Sequence, residues 1–180
     1  MRLLIAVSRV IDALNAHVGR AVAWLVLASI LVSAGNALVR YAFNMSSNAW
    51  LEIQWYLFSA VFLLAAGYTL LNNAHVRIDV VSTRLTPRAR AWIDIFGSVF
   101  FLMPMALIIL YLSWPMFMLS YVGNEVSGDA GGLLRWPVKI LIPAGFGLLV
   151  LQGVSEILKR IAFLRDAAPL DETGRPPDVA

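Results

Sequence analysis

Few residues in this chain could do chemistry. Its 180 residues include two histidines, no cysteine and eleven acids. Without cysteine there is no disulfide scaffold, thiol catalysis or thiolate metal site. His17 and His75 lie outside every long apolar run, which excludes haem held by paired histidines at depth. No acid–base–nucleophile set of an intramembrane protease and no phosphate-binding loop is present. The expectation is a non-enzyme without cofactor or metal.

Four local clusters remain. Asn36 to Phe43 closes an apolar run with an amide, Arg40, Tyr41 and Phe43. It reads either as a snorkelling arginine among interfacial rings or as a docking surface. Trp50, Glu52, Gln54, Trp55 and Tyr56 open a second run. Glu52 there is either a carboxylate favoured by a helix N-terminus or a proton-coupling acid, and it is shallow for the second role. His75, Arg77 and Asp79 alternate with apolar residues and share one side of an extended chain. In a helix His75 and Asp79 become i, i+4 neighbours, and in either form they are too few to hold a metal. Asn124 to Lys139 begins as a Gly-rich turn and ends in Arg135, Trp136, Pro137 and Lys139. The two cations lie four apart and offer a partner or lipid contact.

The elements that must position these clusters follow from composition. Hydrophobic residues make up 60% of the chain, charged residues 14%, and mean hydropathy is +0.77. A soluble domain averages roughly 45–50% apolar and about 25% charged. Twenty-five charged side chains cannot cover a soluble domain of this length, so lipid is the solvent.

Crossing a bilayer takes roughly 20 apolar residues in a helix. Windows 21–39, 49–71, 91–114 and 138–158 qualify. Their few charges, Glu52, Asp94, Lys139 and Glu156, fall near window ends, where the cost of burial is small. Trp24, Trp50, Trp55, Trp92, Trp114 and Trp136 sit near the same limits, as an aromatic belt would.

Eleven of the fourteen Lys and Arg residues fall in the N-terminal segment, the second loop and the C-terminal end; Arg40, Arg135 and Lys139 do not. The positive-inside rule then puts both termini in the cytoplasm. Residues 1–20 repeat Leu and Val at spacings of three and four, with Arg9, Asp12 and Asn15 mostly elsewhere around the helix. That pattern predicts an amphipathic helix lying in the interface rather than a cleaved signal peptide. Residues 159–180 are Pro- and Asp-rich and read as a disordered tail. The expected fold is an all-α membrane protein with four transmembrane helices in residues 21–158, plus that N-terminal helix. Small residues (Ser29, Ser33 and Ala37; Ala60 and Gly67; Gly145, Gly147 and Gly153) suit close helix packing, and Pro104 and Pro143 predict local kinks.

The clusters, in this order on four spans, resemble the small membrane subunit of tripartite ATP-independent periplasmic (TRAP) transporters. The matching stretches are Arg40-Tyr41-x-Phe43, Trp50-x-Glu52, His75-Val-x-Ile-Asp79, and Arg135-Trp136-Pro137 with Lys139 and Pro143. Many members carry two adjacent acids entering the second helix; here Leu51 takes the first place and only Glu52 remains. The resemblance implies a subunit of the bacterial inner membrane that binds no solute itself. It would pack beside a large multispanning permease subunit that imports an organic acid or related solute by symport. It would also help dock a periplasmic solute-binding protein, with lipid around it and no nucleic acid. Its partner-contact candidates are then Arg40, Tyr41, Trp50, Glu52, Trp55, His75, Arg77, Asp79, Arg135, Trp136 and Lys139. A rival reading is a stand-alone proton-coupled exporter acting as a homodimer, with Glu52 as its acid.

Overall fold

The computed structural model describes residues 2–45, 47–72 and 85–165. His75, Arg77 and Asp79 lie outside the described residues, as does most of the expected tail.

Helix α1 runs unbroken over Arg2–Phe43. At 1.5 Å per residue its 42 residues reach about 63 Å. This replaces the two pieces expected, a separate interfacial helix and a span. No proline interrupts the junction, and the one glycine there is needed for packing. A Cβ on Gly19 would lie 2.2 Å from Tyr68 Cγ. In its N-terminal half part of the polar stripe packs against the rest of the chain. Ser8, Asp12 and Asn15 are buried, while Val10 is 71% exposed and Val7 and Leu14 are exposed with it. Asp12 points inward because a cation waits for it there, as described below.

Asn44 ends α1 in the left-handed region (φ 50°), where asparagine is tolerated better than most residues. Helix α2 follows over Asn48–Leu71. Helix α3, Pro87–Gly97, starts on Thr86, whose hydroxyl accepts the Ala89 N–H at 3.3 Å, with Pro87 in the first turn. A π-helical turn, Ser98–Leu102, joins α3 to α4, Met103–Val122. Pro104 supplies no N–H, and its ring would crowd the Phe100 carbonyl; the widened turn relieves both. Helix α5, Trp136–Lys139, leads into α6, Leu141–Leu164. The step between them falls where Pro143 has no N–H to give the Lys139 carbonyl. The two prolines thus mark a π turn and a helix break.

Four helical stretches, Leu4–Phe43, Asn48–Leu71, Pro87–Val122 and Trp136–Leu164, are long and apolar enough to cross a membrane. Each contains one expected window and overruns it. Trp24 and Trp114 therefore fall inside longer helices rather than at ends. Lys159 and Arg160, expected in the tail, are buried residues of α6.

Helix α6 is the hub. It packs against α1, α2, α3 and α4, while α1, α2 and α6 also form a mutual triad. The third span, α3 through α4, packs across the bundle on α6. Glycines let the backbones close: a Cβ on Gly145 would meet the Leu63 carbonyl oxygen at 2.6 Å, and one on Gly153 would meet Leu102 Cδ2 at 2.8 Å. A Cβ on Gly67 would lie 2.1 Å from Asn15 Oδ1, so that buried amide oxygen faces the Gly67 Cα–H. Not every expected small residue packs. Gly147 has no neighbour in reach, and Ser33 and Ala37 are exposed.

Candidate functional site

Two polar clusters close the bundle, one at each end. The first lies where α2 and α5 begin and is built by the loop between α4 and α5. The loop leaves α4 through a Schellman turn. Asn124 is left-handed (φ 45°), its N–H donates to the Tyr121 carbonyl at 3.3 Å, and the Glu125 N–H donates to the Ser120 carbonyl at 3.0 Å. The loop then folds back as a short hairpin. Val126 and Leu134 form an antiparallel bridge, with Ser127 N–H to Leu133 O at 2.9 Å and Arg135 N–H to Glu125 O at 2.8 Å. At its tip Gly132 N–H donates to Asp129 O at 2.9 Å, and Gly131 takes the positive φ of +73° that a type II turn requires.

Helix α2 holds this hairpin. Asn48, Glu52 and Tyr56 lie at i, i+4 and i+8 on one face. Asn48 Nδ2 donates to Ala130 O at 3.1 Å, and the Tyr56 hydroxyl donates to Leu134 O at 3.0 Å. Glu52 Oε2 accepts the Leu133 N–H at 2.6 Å. Glu52 is 3% exposed, and its Oε1 is buried without a hydrogen bond of ordinary geometry. Within the loop, Arg135 Nη2 donates to Ser127 Oγ at 3.2 Å, and Lys139 pairs with Glu125. The Lys139 ammonium holds the Glu125 carboxyl below the usual carboxylate range, with Arg135 adding to the effect.

The expected residues divide accordingly. Glu52, Arg135 and Lys139 come together in one network, and Trp136 joins its edge through a perpendicular ring contact with Tyr121 at 5.5 Å. Trp55 stacks edge-on with Tyr56 at 4.5 Å. Trp50 and Trp55 are otherwise exposed, as are Arg40 and Tyr41 at the end of α1. Arg40 and Tyr41 make no hydrogen bond or ion pair with the network. Asn48, Tyr56, Glu125 and Ser127 complete it; the i, i+4, i+8 spacing on α2 was the signal available for two of them.

The second cluster lies where α1 begins and α6 ends. Gln152, Ser155, Glu156, Lys159 and Arg160 make one polar face of α6, opposite Ser8, Asp12 and Asn15 of α1. Asp12 Oδ1 accepts from Ser155 Oγ at 2.7 Å and from Gln152 Nε2 at 2.9 Å, and its Oδ2 accepts from Lys159 Nζ at 3.2 Å. Lys159 also pairs with Glu156. Arg160 donates from Nη1 to Glu156 Oε2 at 2.6 Å and from Nε to Asp94 Oδ2 at 2.8 Å, which draws in α3. This cluster was not anticipated. Its charges read as span ends or as the wet face of an interfacial helix. The spacing of Ser8, Asp12 and Asn15 against the five-residue face of α6 was the legible trace.

Between the clusters the helices carry no charge over 21–39, 53–71, 95–122 and 140–155. From Lys139 at the end of α5 to Glu156 of α6 the chain rises about 25 Å, close to the roughly 30 Å of a hydrocarbon core. Such an arrangement can hold a bundle at a fixed depth and present a shaped loop at one end.

Searches of curated proteins and of solved structures gave no match. The family "Tripartite ATP-independent periplasmic transporters, DctQ component" matches residues 29–163. That range takes in the C-terminal part of α1, nearly all of the other three long helices and both halves of the Glu52 network, and it starts beyond Asp12. The chain belongs to the DctQ family, the small membrane component of these transporters.

Proposed function

We propose that the chain acts as scaffold and docking piece of its transporter and carries no solute or ion itself. It packs beside the large multispanning subunit, which moves an organic acid or related solute inward with an ion gradient. Its Glu52 end faces the periplasm and meets the solute-binding protein; its termini lie in the cytoplasm of a bacterium, on the inner membrane. The concentration of Lys and Arg in the N-terminal segment, second loop and C-terminal end supports that orientation. Lipid covers the rest.

The observation that carries this reading is the charge-free middle of all four long helices. Ion-coupled carriers place ionisable or broken-helix sites near the midplane. A carrier that shifts across the bilayer needs neighbouring helices that stay put, and polar clusters at both ends resist vertical movement. The exporter alternative asks Glu52 to shuttle protons, yet its carboxylate is already the acceptor for Leu133.

Purification of a tagged copy from its native membrane in mild detergent tests the proposal. Recovery of one large multispanning partner is expected. A homodimer recovered alone, with transport of a drug that Glu52→Gln abolishes, would overturn it.

A further inference from the structure

We infer that Glu52 is a positioning residue that fixes the hairpin of residues 123–135 in advance as the surface the binding protein meets. The inference rests on the docking role proposed above and assigns the residue that makes that surface rigid.

Three facts about the contact lead there. First, one face of α2 reads the hairpin through its main chain. Asn48, Glu52 and Tyr56 reach Ala130 O, Leu133 N–H and Leu134 O in turn. Holding by main chain fixes the shape of the loop and leaves its side chains free for a partner. Val126 and Leu134, the bridge pair, are 56% and 42% exposed, and Val122, the last residue of α4, is 77% exposed. Second, a neutral amide could accept the Leu133 N–H at a smaller desolvation cost, yet a buried carboxylate is present. Its carboxylate faces the Ser127 hydroxyl and the Leu133 N–H, with the Arg135 charge acting more weakly, while Glu125 is the acid that pairs with Lys139. Third, the loop interior is filled against collapse. A Cβ on Gly132 would lie 2.4 Å from Ser127 Cβ, and Ser127 Oγ is held by Arg135.

A loop already in its bound shape loses less freedom on docking than one that must be ordered by its partner. Removing the latch should therefore weaken docking while leaving the bundle intact.

The test uses the assembled transporter in nanodiscs. The chain has no cysteine, so Ala130→Cys gives this subunit a single thiol for a nitroxide label. Label mobility is compared in wild type, Glu52→Ala, Glu52→Gln and Tyr56→Phe, and the binding protein as purified is titrated onto each. Glu52→Ala should sharpen the nitroxide spectrum and raise the dissociation constant roughly tenfold, with recovery of the large subunit unchanged. Glu52→Gln, which keeps an acceptor for Leu133, should fall between. Tyr56→Phe, which removes one hydroxyl, checks the latch in a variant with less risk to folding. An unchanged spectrum in both Glu52→Ala and Tyr56→Phe would overturn the latch. A mobile label with unchanged affinity would overturn the docking assignment while the latch stands. Failure of the wild-type chain to recover a large partner would instead remove the underlying reading of function.

Discussion

Glu125 and Lys139 form an ion pair in the Glu52 network, with side chains 41% and 22% accessible. Solvent screens such a pair, and its contribution to stability is small. Its pH dependence still has a definite sign. The folded Glu125 carboxyl lies below its ordinary value because Lys139 pairs with it. A lowered carboxylate contributes fully above the usual range near 4.3 and loses that contribution as pH falls through the folded value. The hairpin should hold its shape at neutral pH and loosen on the acid side of that range. Limited proteolysis of the loop across an acid titration reads this directly. Glu125→Gln should flatten the acid limb, and a loop that loosens equally in that variant would remove Glu125 from the explanation.

At the scale of the element, helix contact in lipid depends on how closely backbones approach, since lipid tails are as apolar as leucine. Gly145 sits against the Leu63 main chain, which cannot step aside as a side chain can. Gly145→Ala should therefore part α2 from α6 and cost about 1–3 kcal/mol, the usual penalty of overpacking. Gly147, two residues on, has nothing within reach, and Gly147→Ala should stay within about 0.5 kcal/mol. Thermal unfolding of the two variants in one detergent makes the comparison, and equal shifts would contradict the packing. The glycines of the fourth span were visible in the sequence as candidates for close approach. Which of them touches a neighbour was not, because a glycine's contacts depend on the rotation of α6 against α2. The prolines were more legible: the missing N–H acts within its own helix, and both mark irregular turns.

At the scale of the whole molecule, the Asp12 cluster ties α1, α3 and α6 into one piece. Asp12, Glu156, Lys159 and Arg160 are each 5% exposed or less, so their charges are largely out of water. Removing one member of a buried ionic network costs about 3–5 kcal/mol, because the partner is left unpaired. Asp12→Ala should destabilise the chain by that order, seen as a lowered unfolding temperature and poor recovery from membranes. Asp12→Leu combined with Lys159→Leu should be milder than either change alone, since apolar pairs often replace buried ions at little cost. Two single changes whose effects simply add would show that Asp12 and Lys159 are not coupled. The same cluster satisfies the polar stripe of α1 inside the bundle, while Val7 and Val10 stay exposed.

The sequence by itself determined the solvent, the four long apolar helices and the turn chemistry of the hairpin. Those follow from residue type and from spacing within a few turns of chain, so no distant contact is needed to read them. Only the tertiary structure decided that α1 is one helix, that Glu52 holds a loop, and that Asp12 is buried against Lys159. Asp12 and Lys159 stand 147 residues apart, and Glu52 and Leu133 stand 81 apart. Whether a polar side chain so placed meets water or a partner depends on how whole helices are rotated and shifted against each other. Many small packing contacts set that register together, and local pattern does not reveal their sum.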